Sequence, residues 1–345
     1  MLKTNYQEIF RISSATLNKY DKDLYAFLQD WKSDAETISV QTSGSTGSPK
    51  QIKLKKEVLI KSAKATNRFF NLDSSSIYLL CLPSKFIGGK MMLIRAITSN
   101  ARILITNASN PLFNLKEEKV DFCAMTSFQV NRCLENSADN FKFIKKLIIG
   151  GSMLNNELLN NLKNIKTSCY STFGMSETAS HIALRKLDDN SEIFECLPHV
   201  DISTNEDNKL IITSKELELN KLITNDIVEI IDSKHFKWIG RKDNIINSGG
   251  IKIYPELIEK QLSKFIDINN FFIDKLSHKT LGQQLIIVIN NLVDKEILFE
   301  AIKSLDKYHK PKLFYKINEF ILTDNNKLNR VESKKYAKKI SILAK

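Results

Sequence analysis

Nowhere in the 345 residues is there an apolar run of the roughly 18–20 residues that a membrane helix requires. The opening stretch MLKTNYQEIF lacks the hydrophobic segment of a secretory leader. Cys81, Cys123, Cys133, Cys169 and Cys196 are scattered, odd in number and never in a CxxC pair. That argues against a disulfide framework or a structural zinc site and for buried, reduced thiols. The resulting expectation is a cytoplasmic protein with no stable membrane insertion. Internal repeats, low-complexity tracts, a Walker-type GK[ST] and a Ser-His-Asp arrangement are also missing.

What is present is ordinary for a globular chain: 42% hydrophobic and 26% charged residues. The length suggests about two domains. The net charge is +12, but the lysines are dispersed and form no basic stripe interleaved with aromatics, so nucleic acid is not the expected partner. A basic cleft for polyanions fits better.

Apolar positions at helical spacing run through 5–31. Residues 37–41 read as a short strand, 42–50 as a loop, QIKLK as the next strand and 57–70 as a helix. From 77 to 170 strands alternate with helices: IYLLCL, ARILIT, DFCAM, KKLIIG and TSCYST are separated by helical stretches such as 90–98 and 156–163. This alternation predicts an α/β fold with a helix-covered, largely parallel sheet, whose ligands bind beyond the carboxyl ends of the strands. Gly150-Gly151-Ser152 and Phe173-Gly174-Met175-Ser176-Glu177 fall at such ends. After about 240 the pattern changes to short strands and helices, a small α+β domain. The expected division is 1–240 and 241–345.

The segment Thr42-Ser43-Gly44-Ser45-Thr46-Gly47-Ser48-Pro49-Lys50 has glycines that let backbone N–H groups face one concavity, hydroxyl donors, and a lysine point charge. These are the parts of a phosphate nest. Its residue order resembles the phosphate-binding signature of the adenylate-forming superfamily, which includes acyl- and aryl-CoA synthetases, luciferases and peptide-synthetase adenylation domains. Further segments follow in the family's order. Phe173-Gly174-Met-Ser176-Glu177-Thr resembles the aromatic-G-x-T-E segment, which implies Glu177 as the Mg²⁺ carboxylate. Thr224-Asn225-Asp226 resembles T-G-D, with Asn225, which tolerates the left-handed backbone, in place of the glycine. Gly240-Arg241-Lys-Asp243 through Gly249-Gly250 to Pro255-Glu-Leu-Ile-Glu259 resembles the longest family signature. It implies ribose contacts from Asp226 and Arg241, a hinge at Asp243, close approach of the chain to ligand at the two glycines, and a structural Glu259. Asn326-Lys327-Leu-Asn-Arg330 resembles the terminal G-K-x-x-R.

The resemblance implies an N-terminally shortened adenylate-forming fold with a C-terminal lid. It implies ATP, Mg²⁺ and coenzyme A as reactants, with Lys327, Glu177 and Ser176 as catalytic candidates. Thr42, Ser43, Gly44, Ser45, Thr46, Gly47, Lys50, Gly150, Gly151, Phe173, Gly174, Asp226 and Arg241 are the nucleotide-binding candidates. The segments SGGIKIYPELIE, FGMSETASHIALR and LPSKFIGGKMMLIRA resemble the o-succinylbenzoate–CoA ligase group of menaquinone biosynthesis. Phe86, Lys90, Arg95, Ser180 and His181 then become acyl-site candidates, and Lys90 or Arg95 would meet the acid's second carboxylate. Phe86 stands where relatives often have His, and Pro198-His199 replaces Pro-Gly. The expected acceptor is free CoA, since no fused carrier follows the lid. The rivals are another acyl- or aryl-CoA ligase, a carrier-loading adenylation enzyme, and a degenerate nucleotide-binding relative.

Overall fold

The computed structural model describes residues 1–41, 51–113, 115, 118–151, 154–188, 191–323 and 328–341. Among these, twelve strands form one sheet. Its first half is the expected α/β unit. The strands Arg102–Ile105, Ile77–Leu80, Val120–Thr126, Ile144–Gly150 and Ser168–Gly174 lie side by side and parallel. Their residues alternate between two cores. Tyr78, Leu80, Phe122 and Ala124 face one side, with Val58, Leu59, Phe70 and Ile94 of the helices Lys56–Phe70 and Ile87–Thr98. Leu79, Cys81, Cys123 and Met125 face the other, with Val130, Cys133, Leu158 and Leu162 of the helices Ser127–Ser137 and Asn156–Lys163. Strands buried on both faces read as continuous apolar runs, which is why this half was legible. All five cysteines are free and buried.

The second half of the sheet departs from the parallel expectation. His181–Lys186, Ile193–Cys196, His235–Arg241, Leu219–Ile230, Lys209–Ser214 and Asp201–Thr204 continue it antiparallel. Short connections make this possible. Asn208 and Glu218, both at positive φ, turn the chain tightly on either side of Lys209–Ser214. The amino-terminal region holds helices in the expected span 5–31 and adds a strand ahead of them. Leu2–Asn5 is an edge strand paired antiparallel with Arg102–Ile105, ahead of the helices Ser14–Leu17 and Leu24–Lys32.

A second, six-stranded sheet is built from Ile246–Ser248, Ile251–Ile253, Phe271–His278, Gly282–Ile289, Leu313–Lys316 and Lys338–Ile340. The cores divide with the sheets: the buried residues of the first two clusters come from 9–236, those of the other two from 246–317. Helix Pro255–Leu262 lies over strand His235–Arg241. There Gly240 is obligatory, because a Cβ would stand 2.5 Å from the Glu256 carboxylate. Asn155 to Asp267 and Asn156 to Ser263 (both 3.1 Å), Lys242 to Asp207 (3.0 Å) and Lys260 to Glu192 also cross this seam. No described helix is long and apolar enough to cross a membrane.

Candidate active site

The 42–50 loop and Lys327 lie outside the described residues, but their frames are described. Thr37–Gln41 pairs antiparallel with Gln51–Lys55, and Gln41 stands opposite Gln51, so the loop closes a hairpin. Leu322 bridges to Leu328, and the Asn329 N–H donates to the Ile321 carbonyl at 2.9 Å.

At the end of the parallel strands, Thr126 stands opposite Gly150. A side chain on Gly150 would meet the Thr172 hydroxyl at 2.7 Å, and Gly151 takes φ +101°. One strand over, Gly174 cannot carry a Cβ, which would overlap the Ser180 carbonyl and the His181 Cα. The turn beyond it is organised by Thr178, which the sequence reading passed over. Fully buried, its hydroxyl accepts from the Met175 N–H at 3.0 Å and lies 2.7 Å from the Ser180 carbonyl. Ala179 at φ 63° completes the turn. Ser176 is buried inside it and Glu177 is thrown outward, exposed and unpaired among the described residues. Phe173 packs edge-on against Phe236 at 5.1 Å and lies 5.8 Å from Phe194. Its ring is therefore tied into an aromatic cluster, a contact that the nucleotide assignment did not foresee.

No cluster of three His, Cys, Asp or Glu side chains able to hold a metal occurs among the described residues. A lone outward carboxylate still fits magnesium, which takes one or two carboxylates and fills the rest of its octahedron with phosphate and water oxygens.

A second group forms where Asp226 faces Arg241 across two strands. Asp226 is buried. Its carboxylate accepts from the Trp238 indole N–H at 3.0 Å and stands 3.5 Å from Arg241, while its backbone N–H donates to Thr224. Trp238 was missed because nothing in its local sequence marks it. Asp243 joins from the single turn Lys242–Asn244 that follows the strand, 3.5 Å from Arg241 and 3.3 Å from the Asn225 amide. Asn225 is not at positive φ; it lies where the strand Leu219–Ile230 shifts register against Lys209–Ser214, and it uses its amide to hold Asp243. Gly249 and Gly250, at φ 58° and 86°, make the tight turn between Ile246–Ser248 and Ile251–Ile253. A turn of that hand explains the glycines without a ligand.

The acyl candidates divide. Lys90 and Arg95 share the helix Ile87–Thr98 but are five residues apart, about 140° around its axis. Lys90 points at the amino-terminal helix, 4.7 Å from the Phe27 ring, and burial lowers its pKa despite the nearby Asp30, Asp23 and Asp21. Phe86 caps the same helix and, with Leu82 and Thr106, lines a cavity of about 320 Å³ under Tyr20–Asp23. A larger cleft of about 630 Å³, around Asn155, Asn161 and Asp267, contains none of the residues singled out by the sequence.

Arg95 turns the other way and meets Ser180 and His181. Its guanidinium is 1% exposed, donates to the Ser180 hydroxyl at 2.6 Å, and reaches His181 Nδ1 at 3.4 Å and the Met92 sulfur at 3.7 Å. Among the described residues its Nε–H has no partner and no carboxylate pairs with it. Burial brings its pKa down to about 10, opposed by Tyr78. A buried guanidinium has five donors and a full charge to satisfy. Ser180, His181 and a thioether satisfy part of the first, and the Phe122 ring, 6.0 Å away, offers the second a π face but no counter-ion.

The AMP-binding enzyme family model matches residues 18–207. A 2-succinylbenzoate–CoA ligase of Staphylococcus epidermidis is 23% identical over 92% of this chain and 73% of its own length. An acyl-CoA synthetase (AMP-forming)/AMP-acid ligase II-like protein of Dyadobacter fermentans is 30% identical, with TM-score 0.64 over 97% of this chain and 99% of that one. The o-succinylbenzoate–CoA synthetase of Bacillus subtilis, solved with its acyl-adenylate intermediate, superposes with TM-score 0.76 at 19% identity, covering 89% of this chain and 70% of that one. The family match takes in more than half of the sequence, along with the strand ends and the Glu177 turn described above: this chain belongs to the AMP-binding enzyme family.

Proposed function

We propose that the protein joins a dicarboxylic aryl-acyl acid, o-succinylbenzoate, to coenzyme A through an acyl-adenylate made with ATP. The observation that carries the choice of acid is Arg95, a buried cation without a counter-ion, bonded to Ser180 three residues beyond Glu177. A monocarboxylic acid would leave that charge unanswered once its own carboxylate is joined to phosphate. A second carboxylate answers it. The S. epidermidis and B. subtilis relatives carry the same acid in their names.

The chemistry asks for positioning and electrostatics and for no protein nucleophile. We assign the 42–50 loop to the ATP phosphates, and Asp226 with Arg241 to the ribose hydroxyls. Held at Glu177, magnesium would draw charge from the phosphate oxygens. Lys327 neutralises the acid carboxylate and the α-phosphate as they meet. We place the domain division at 240/241, with rotation about Asp243 removing Lys327 before the thiol attacks. Reuse of one site by a moving domain is a known gating strategy.

Acid-dependent ATP–pyrophosphate exchange across a panel of acids, followed by addition of coenzyme A, tests the reading. Exchange with o-succinylbenzoate and appearance of its CoA thioester are expected. Exchange without thioester would point to a carrier protein as acceptor, and no exchange with any acid would overturn the assignment.

A further inference from the structure

His181 lies 86 residues from Arg95 in sequence and beside it in space. A guanidinium only donates, so the 3.4 Å approach of Arg95 Nη2 to His181 Nδ1 favours a lone pair on that nitrogen, which the Ser180 hydroxyl also faces at 3.4 Å. The ring proton then sits on Nε2, 3.3 Å from the Thr66 hydroxyl, which donates in turn to the Ser62 carbonyl at 3.2 Å. Thr66 and Ser62 belong to the helix Lys56–Phe70 and are buried. The tautomer is thus set from behind by a helix that also holds the Arg95 carbonyl, through the Asn67 amide at 2.9 Å. Burial, then the charges of Arg95 and His199, hold the imidazole pKa well below its usual value. The ring accepts from Arg95 without cancelling its charge. A carboxylate at the same place would pair with the guanidinium and end its attraction for a ligand anion.

We infer that His181 is a positioning and specificity residue: as a neutral acceptor backed by Thr66 and Ser62, it aims the Arg95 guanidinium and leaves its charge for the second carboxylate of the acid. The inference rests on the reading that Arg95 faces the acid.

The test compares His181→Asn, His181→Leu, His181→Asp and Arg95→Met in CoA ligation of o-succinylbenzoate and of 4-oxo-4-phenylbutanoate, which lacks the ring carboxylate. KM for each acid and for ATP, kcat and Tm are measured. Asn places an amide oxygen near the Nδ1 position and is expected to rescue, with KM for o-succinylbenzoate near the parent value. Leu should raise that KM about tenfold and Asp up to about a hundredfold, the range of a hydrogen bond to a charged group. KM for ATP and for the monocarboxylate should stay put. The Asp variant should therefore lose the preference between the two acids. A retained preference in His181→Asp overturns the inference, as does a Leu variant in which KM for both acids and ATP rise together. If Asp does not fold, the Asn and Leu pair decides the matter alone. An unchanged o-succinylbenzoate KM in Arg95→Met would instead show that the reading of Arg95 itself is wrong.

Discussion

Two arginines, one in each half of the chain, have opposite surroundings. Arg330 forms a two-pronged pair with Glu259 at 2.7 Å on both arms and also donates to the Ile273 carbonyl at 3.1 Å. Glu259 accepts a further bond from the Ile273 N–H. Burial opposes the Arg330 charge, but the Glu259 carboxylate outweighs it and raises the pKa. Arg95 is buried more deeply, 1% exposed against 27% for the Arg330 side chain, and among the described residues it has no carboxylate partner, an orphan Nε–H and a lowered pKa. The contrast teaches which arginine is architecture. Arg330 is answered within the fold and locks the helix Arg330–Tyr336 to Pro255–Leu262. Arg95 has no carboxylate partner among the described residues, which is what the ligand role proposed for it requires.

The hardest break of that comparison is Arg330→Met. It strands a buried carboxylate and should lower stability by about 3–5 kcal/mol, read in urea unfolding of the whole chain. Adding Glu259→Met should restore most of the loss, since a packed apolar pair can replace a buried ion pair. Full additivity of the two losses would argue against this account. Next in size is Gly240→Ala, which forces a methyl onto the Glu256 carboxylate at the seam and should cost about 1–3 kcal/mol. An unchanged Tm there would mean that the helix Pro255–Leu262 yields freely.

Arg95→Met leaves no charge behind. Its stability should stay within about 1 kcal/mol of the parent while affinity for the dicarboxylate falls, the reverse of the Arg330 result. A large stability loss would remove the distinction between the two arginines.

Acid and base should separate the two regions as well. Glu256 is buried beside the Arg330 pair; Asn244 donates to one oxygen at 2.6 Å and the other has no partner. Burial raises its pKa, and Glu259 adds to the rise against Asn244 and Arg330. The folded state therefore favours the protonated form. That stability is complete below the unfolded carboxyl pKa, about 4.3, and is lost as pH rises through the folded value. His181 has the opposite sign: its lowered pKa gives stability that is complete above about 6.5 and is lost as pH falls. Tm profiles of Glu256→Gln and His181→Asn should each flatten one limb only, Gln the rise-in-pH limb and Asn the acid limb. The smallest effect is expected for the exposed Lys55–Glu218 pair at 2.6 Å, whose removal should leave Tm within error.

How much of this was legible depends on the range of the interaction. The parallel strands and the helix Asn156–Lys163 were readable because their apolar runs and spacings are local. The antiparallel half and the edge strand Leu2–Asn5 were not, because partner choice in a sheet is settled between distant segments. The site divides in the same way. Glu177 and Asp226 were found from their motifs. Thr178 and Trp238, which hold them in place, were missed because a hydroxyl or an indole acquires that duty only when packed. Lys90 and Arg95 look equivalent in sequence, and helical phase sends one to Phe27 and the other to Ser180.

By itself, then, the sequence determined the order of motifs, the scattering of the cysteines, the strand-helix alternation and the candidates proposed to meet phosphate, ribose and metal. These depend on residue type and short spacing. Only the tertiary structure decided which buried charges are answered. Arg330 and Glu259 are 71 residues apart, and Arg95 and His181 are 86. Whether a charge finds a carboxylate or a neutral ring over such separations is set by which helix faces and strand ends the packed core brings together.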